Sequence, residues 1–212
     1  MRVLLVDDHD LFRSGLRNLL EERGVQVVGE ASSGQEALRV VRDNPPDVVV
    51  MDLNMPGIDG VEATRRIAQI APLTRVLVLT VSDQDADVLN AILAGACGYL
   101  MKDASIDELI RGITSAAIGE ALISPHIASK VLQRVRSSTA QPDAEATIRS
   151  ELSEREIQVL KLIANGKDNA MIAAELHISP KTVKNHISNI LMKLQIENRI
   201  QAAVYAVRSG IV

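Results

Sequence analysis

The chain has 212 residues, 47% of them hydrophobic, which suits one large or two ordinary domains. Residues 148–212 hold nine Lys and Arg against six Asp and Glu, a net charge of +3, whereas residues 1–147 hold 14 against 21, a net charge of −7. The single cysteine, Cys97, excludes an intramolecular disulfide, and no apolar run reaches the roughly 18 residues of a membrane span, so we expect a cytoplasmic protein without a membrane partner.

Residues 1–119 alternate between short apolar runs and amphipathic helical patterns, which predicts five consecutive βα units. We therefore expect an α/β fold with a doubly wound, five-stranded parallel sheet in the order 2-1-3-4-5. The strands are predicted at 2–7, 25–31, 47–52, 75–80 and 97–101, and the helices at 10–23, 33–43, 60–70, 84–94 and 105–119.

Acidic residues end two of these strands. Asp7 and Asp8 follow the first strand, and Asp52 follows the third. Strands 1 and 3 are neighbours at the point where the sheet order reverses, so their carboxyl ends should bring the three carboxylates together. Carboxylates this close repel one another unless a cation neutralises them, and Mg²⁺ with a phosphate oxygen suits such a site. The sequence therefore predicts phosphoryl transfer to a carboxylate.

Two further strands end in possible hydrogen-bond donors. Thr80 ends the fourth strand with a hydroxyl, and Lys102 follows the fifth strand with an ammonium. These are the donors that the oxygens of an aspartyl phosphate need.

The second half of the chain has a different pattern. Residues 120–147 are predicted to be a linker, with a short helix at about 125–136 followed by polar residues. Residues 151–212 are wholly helical in pattern, and Ser153 and Glu156 form a capping box at the start of the first helix. The chain is thus predicted to contain a domain at 1–119, a linker at 120–147 and a small all-α domain at 148–212.

A helix beginning at Ser179 and Pro180 follows a short helix and a tight turn. One of its faces is apolar, and the other carries Lys181, Lys184, Asn185 and Ser188. This arrangement is typical of a helix-turn-helix that reads the major groove of double-stranded DNA. An ordinary solvated helix face would give the same stripe, so the pattern alone leaves both interpretations open.

The first half resembles the receiver domain of two-component response regulators. The resemblance rests on Val6-Asp7-Asp8-His9, Met51-Asp52-Leu53-Asn54-Met55-Pro56-Gly57, Leu79-Thr80 and Gly98-Tyr99-Leu100-Met101-Lys102-Asp103. It implies that Asp52 is the phosphoacceptor and that Lys102 contacts the phosphoryl group. It also implies that Thr80 and Tyr99 form a switch pair. The implied Mg²⁺ ligands are Asp7, Asp8, Asp52 and the backbone carbonyl of Asn54.

The second half resembles the LuxR-type helix-turn-helix, on segments such as Leu152-Ser153-Glu154-Arg155-Glu156 and Lys181-Thr182-Val183-Lys184-Asn185-His186. Together the two halves are similar to the NarL/FixJ class. The resemblance implies that Lys184, Asn185 and Ser188 reach base edges, whereas Lys181, Thr182 and His186 lie nearer the DNA backbone. Gln195 departs from the pattern, since Gly usually follows the reading helix, so strain is expected at that turn.

These features predict a DNA-binding transcriptional response regulator that is switched by Mg²⁺-dependent phosphorylation of Asp52 by a histidine kinase. It would form a homodimer on phosphorylation, bind paired half-sites, and catalyse only its own phosphorylation and dephosphorylation. One alternative is a phosphorylation-independent regulator whose receiver serves only protein contacts. The other is an aspartyl-phosphate phosphohydrolase, which the neutral Asn54 disfavours because it cannot protonate a leaving group.

Overall fold

The computed structural model describes residues 1–82, 85–120, 122–123, 152–196 and 198–212. The chain divides into two compact units, Met1–Ser124 and Pro125–Val212. The short helix predicted at 125–136 and most of the predicted linker lie outside the described residues. The domain boundaries predicted at residues 119 and 148 stay a prediction.

The first unit contains a parallel sheet in the order β2-β1-β3-β4-β5-β6, so the predicted order of the first five strands is confirmed. The sixth strand extends the sheet by pairing with β5, and it lies in residues that were expected to be linker. The predicted five-stranded sheet is therefore present with this short strand added at its edge, and a strand of two residues has no periodicity that a sequence pattern could reveal. The strands are β1 Arg2–Val6, β2 Gln26–Ala31, β3 Val48–Met51, β4 Arg75–Thr80, β5 Gly98–Met101 and β6 Leu122–Ile123.

Alternating strand residues pack into two separate core layers. Val3 and Leu5 of β1 pack with residues of the first and fifth helices, whereas Leu4 and Val6 pack with residues of the second and third. This alternation places helices on both faces of the sheet, as the side-chain period of a strand requires. The helices are α1 Asp10–Glu22, α2 Gly34–Asp43, α3 Gly60–Ile70, α4 Asp85–Leu93 and α5 Ile106–Ala117.

The register of β1 and β3 sets the position of the acidic residues. Val6 pairs with Met51, and the next residue, Asp52, donates its backbone N–H to the Val6 carbonyl over 2.9 Å. Asp7 in turn donates its N–H to Ala31 at the end of β2 over 3.0 Å. The two strands therefore end at the same level, which is why acids that are 45 residues apart in sequence emerge side by side.

The second unit consists of helices throughout its described part. The predicted capping box is present, since the Ser153 hydroxyl accepts from Glu156 N and the Glu156 carboxylate accepts from Ser153 N. Ser179 caps the third of these helices, with Pro180 at its first position. Within the described residues, no helix is both long and apolar enough to cross a membrane. The helices are α6 Glu154–Ala164, α7 Asn169–Leu176, α8 Pro180–Leu194 and α9 Arg199–Arg208.

Candidate functional site

The structure brings the three predicted acids together at the carboxyl ends of β1 and β3. Asp7 and Asp52 are buried, with 5% and 2% of their surface exposed. One ligand atom from each of Asp7, Asp8, Asp52 and His9 can be chosen so that all lie within 4.8 Å of one another. This spacing and the predominance of carboxylate oxygens suit a hard divalent cation.

Asp8 provides a test of whether such a cation fits. Its Oδ1 atom is buried and accepts no hydrogen bond from the described residues. Nδ1 of His9 lies 2.8 Å from this atom, and the two form an ion pair only when the exposed imidazole is protonated. A buried carboxylate oxygen without a hydrogen bond requires a partner, and a metal ion bound to this set of oxygens would supply one. The residues present therefore fit a magnesium site.

Lys102 reaches into the same pocket from the end of β5. Its Nζ lies 2.7 Å from Oδ2 of Asp52 and 2.7 Å from Oδ2 of Asp7. Burial lowers the pKa of the Lys102 ammonium, but hydrogen bonds to Asp52 and Asp7 and their negative charges outweigh burial and raise that pKa above its ordinary value. Lys102 therefore stays charged and can neutralise a carboxylate or a phosphoryl oxygen beside it.

Phe12 is part of this pocket, although the sequence reasoning missed it. The Lys102 Nζ lies 4.8 Å from the centroid of its ring, within the range of a cation–π contact. Phe12 belongs to α1 and Lys102 follows β5, so no local spacing in the sequence relates the two residues.

Asn54 donates its backbone N–H to Oδ1 of Asp52 over 3.3 Å, and the predicted role of its carbonyl as a metal ligand stays a prediction.

The predicted switch residues lie next to the pocket. Thr80 is fully buried at the end of β4, and its hydroxyl oxygen accepts the Ser82 N–H over 3.3 Å. Tyr99 is also fully buried, and its hydroxyl donates to the Ser82 carbonyl over 2.7 Å. In this conformation the Tyr99 side chain already points inward. A change in its orientation on phosphorylation stays a prediction.

Gly60 lies against the backbone of the Asp52 segment. A Cβ atom at Gly60 would lie 2.0 Å from the Asp52 carbonyl oxygen and 2.7 Å from the Leu53 Cα. Neither atom can move away without displacing the strand end that carries Asp52. Glycine is thus required here by close backbone approach.

We expect Gly60→Ala to lower the free energy of unfolding of the first unit by about 1–3 kcal/mol, the usual cost of overpacking. It should also slow labelling of Asp52 by a phosphodonor, because the nucleophile is displaced. Gly15→Ala is the matched control, since a Cβ at Gly15 meets nothing within 4 Å, and it should leave labelling unchanged. Thermal unfolding would measure the change in stability, and intact-mass spectrometry would measure labelling of Asp52. If Gly60→Ala matches the wild type in both, the backbone of Asp52 and Leu53 accommodates the added methyl group and the argument is wrong.

The predicted DNA-reading stripe lies on the solvent side of α8. Val183, Ile187 and Ile190 of α8 are buried in the core of the second unit. Thr182 is half-buried and shares a 2.8 Å contact with the hydroxyl of the capping Ser179. On the opposite side of α8, the exposed members of the stripe are Lys181, Lys184, Asn185 and Ser188, and His186 is half-buried. The structure thus presents all six predicted residues on one helix.

The turn after α8 has the strain expected from the sequence. Gln195 adopts φ 53° and ψ 43°, the left-handed conformation that glycine favours. His177, at the end of α7, has the same conformation with φ 53°. The left-handed positions before and after α8 are therefore both occupied by residues other than glycine, and the surrounding packing must offset a cost of about 1–2 kcal/mol at each.

An ion pair between a buried carboxylate and a half-buried lysine links the C-terminal end of α8 to the start of α6. Glu156 is 3% exposed, and its Oε2 accepts a hydrogen bond from Lys193 Nζ over 2.8 Å in addition to its capping contacts with Ser153. Burial raises the pKa of the Glu156 carboxyl, but the hydrogen bonds from Lys193 and Ser153 outweigh burial and lower that pKa below its ordinary value. The capping box predicted the role of Glu156 at the start of α6, whereas no sequence pattern predicted that Lys193 would pair with it.

This pair predicts that the second unit is destabilised by acid. Since the folded-state pKa of Glu156 is lowered, its contribution is present above the unfolded-state pKa of about 4.3 and is lost as the pH falls through the folded-state value. Glu156→Gln should lower the free energy of unfolding at pH 7 by about 1.5–3 kcal/mol, because it removes charged hydrogen bonds. Amide hydrogen exchange in α6 and α8 would measure this, and the wild-type and variant values should converge toward pH 3. A difference that is independent of pH would contradict the argument.

The chain matches two family models. The response regulator receiver domain matches residues 3–114, and the luxR family of bacterial regulatory proteins matches residues 150–206. The transcriptional regulatory protein LiaR of Bacillus subtilis (strain 168) is 44% identical over 213 residues, covering 100% of this chain and 99% of LiaR.

Solved structures align along the whole chain as well. The response regulator ChrA of a heme-sensing two-component system aligns with a TM-score of 0.54 and 37% identity, covering 100% of this chain and 98% of ChrA. A structure of two RcsB dimers bound to two parallel DNAs aligns with a TM-score of 0.58 and 26% identity, covering 98% of each chain.

Proposed function

Because the chain belongs to the two-component response regulators of the NarL/FixJ class, we propose that phosphorylation of Asp52 switches its binding to double-stranded DNA. The chain joins a receiver domain to a LuxR-type DNA-binding domain, as transcriptional regulators of this class do. The observation that carries the proposal is the Lys102 ammonium, which lies 2.7 Å from carboxylate oxygens of both Asp52 and Asp7.

The phosphoacceptor assignment follows from the surroundings of Asp52. Its carboxylate is 2% exposed, lies at a strand end, and has Lys102 on one oxygen and the Asn54 N–H on the other. In the proposed reaction, a carboxylate oxygen of Asp52 attacks the phosphorus of a kinase phosphohistidine. The bond from phosphorus to the imidazole nitrogen breaks, and the imidazole leaves as a neutral group after taking up a proton. Lys102 stabilises the negative charge on the transferred oxygens.

Asp7, Asp8 and Asp52 would hold Mg²⁺, with the carbonyl of Asn54 as a further ligand. When bound, the ion neutralises the carboxylates and orients the incoming phosphoryl group. Among the described residues, Oδ1 of Asp8 is buried, accepts no hydrogen bond and has only the exposed His9 imidazole beside it, which supports this assignment because a bound cation would satisfy that oxygen. The receiver would thereby catalyse its own phosphorylation and dephosphorylation.

The proposed DNA contacts come from α8. Lys184, Asn185 and Ser188 would reach base edges, and Lys181, Thr182 and His186 would contact or lie near the phosphate backbone. The exposure of the stripe and the net charge of +3 in residues 148–212 support this assignment. The RcsB structure with DNA supports it through similarity, as its alignment covers 98% of this chain.

The remaining partners follow from the proposed switch. A sensor histidine kinase would supply the phosphoryl group. The phosphorylated chain would pair as a homodimer on two half-sites, because one small helix-turn-helix makes few base contacts. We place these events in the cytoplasm, where the DNA and the kinase domain would be accessible.

Measurement of DNA binding by the full chain with and without acetyl phosphate and Mg²⁺ tests the proposal. The probe is a duplex selected from a random-sequence pool by the chain itself, and the readout is fluorescence anisotropy. We expect modification to tighten binding by about tenfold or more, within the usual range of allosteric coupling. Equal affinity of both forms would refute the switch and leave a regulator that does not depend on phosphorylation.

A further inference from the structure

Arg13, in the first turns of α1, hydrogen-bonds to three different parts of the first unit. Its guanidinium donates to the Asp7 backbone carbonyl over 2.6 Å, to Glu30 of β2 over 3.0 Å and to Asp10 over 2.7 Å. The side chain is 12% exposed. Arg13 also lines the small cavity that Asp7 and Asp52 line. Arg13 therefore lies close to the acid pocket, but it is not one of the predicted ligands of the cation.

The guanidinium is held in place from both sides. Glu30 accepts from Arg13 on Oε2 and from Arg17 on Oε1, the latter over 2.9 Å. Burial lowers the pKa of Arg13, but hydrogen bonds to Asp10 and Glu30 outweigh burial and raise it. A planar guanidinium that is fixed by carboxylates at Nε and Nη2 also fixes the direction in which Nη1 donates. That direction is toward the carbonyl of Asp7.

We propose that Arg13 is a positioning residue for the cation site, acting through the Asp7 carbonyl on the segment that carries Asp7 and Asp8. This inference rests on the proposed magnesium site. The hydrogen bond is charge-assisted and anchors the backbone one residue before Asp8, whose Oδ1 accepts no hydrogen bond from the part of the chain that the structure describes. Outer partners of this kind orient metal ligands, and their loss typically costs about 10–100-fold in metal affinity.

Arg17 offers a matched control on the same helix. It donates to the same Glu30 carboxylate and to Glu21, and its hydrogen bonds and ion pairs within the described residues do not include Asp7 or Asp8. Arg13→Met and Arg17→Met therefore both remove an arginine bound to Glu30, but only Arg13→Met removes the bond to the Asp7 carbonyl. A merely structural role for Arg13 would lower thermal stability and leave the metal affinity of the folded protein unchanged.

The experiment is isothermal titration of the full chain with Mg²⁺, together with thermal unfolding in EDTA. We expect Arg13→Met to raise the Mg²⁺ dissociation constant by about tenfold or more, and Arg17→Met by less than about twofold. Arg13→Lys, which keeps the charge but loses the planar fork, should also weaken Mg²⁺ binding and serves if Arg13→Met fails to fold.

Two results would contradict the inference in different ways. Wild-type protein that binds no Mg²⁺ would refute the proposed magnesium site, and the role of Arg13 with it. A wild-type protein that binds Mg²⁺ with the same affinity as the folded Arg13 variants would refute the role of Arg13 alone.

Discussion

Replacing Asp52 with asparagine is expected to abolish phosphorylation of the chain. The amide keeps the shape of the side chain but removes the nucleophilic carboxylate, while Asp7 still faces Lys102 at 2.7 Å. Incubation with acetyl phosphate and Mg²⁺ should therefore add one phosphoryl group to the wild-type chain and none to Asp52→Asn. Intact-mass spectrometry under mild conditions measures the adduct directly.

Asp103→Asn is the matched control for this experiment. Asp103 is exposed and directly follows Lys102, so it is a nearby carboxylate outside the acid pocket. The Asp103→Asn variant should be phosphorylated to the same extent as the wild type. Omission of Mg²⁺ should prevent phosphorylation of both proteins. Retention of the full adduct by Asp52→Asn would show that another residue is the phosphoacceptor.

Removal of the base-reading side chains is expected to reduce sequence discrimination by α8. Lys184→Ala and Asn185→Ala should each lower the ratio of specific to non-specific affinity. The expected loss of discrimination is about 1–3 kcal/mol in binding free energy, which is what a good base contact contributes. Both residues are exposed on the side of α8 opposite its buried residues, so truncation should leave the fold of the unit intact. Fluorescence anisotropy with the selected duplex and a scrambled duplex, at one fixed salt concentration, measures the ratio.

Lys181→Ala separates base reading from phosphate contact. It should weaken binding to both duplexes similarly and lower the slope of log affinity against log salt by about one. An unchanged affinity ratio for Lys184→Ala would refute the proposed docking of α8, while leaving DNA binding by the domain possible.

Much of the fold and of the site was predictable from local sequence patterns. Short apolar runs that alternate with helical patterns indicated the order of the first five strands, and acids placed directly after two of them indicated the pocket. Such features are readable because the side-chain periods of strands and helices, and the requirements of helix caps, are local. The conformation of Gln195 was predictable in the same way. It directly follows a helix at a position that favours glycine, and its φ is 53°.

Only the tertiary structure revealed the contacts that define the site. Lys102 bridges Asp7 and Asp52 and lies over the ring of Phe12, and Arg13 joins the Asp7 carbonyl to Glu30 of β2. Lys193 meets the buried Glu156 from 37 residues away, and β6 pairs with β5 over two residues. These contacts join segments that are distant in sequence, and their geometry depends on how helices pack on the sheet or on one another. Local periodicity carries no information about that packing. The sequence patterns therefore identified the acids, Thr80 and Lys102, whereas the packing of α1 against the sheet brings Phe12 and Arg13 to the same pocket.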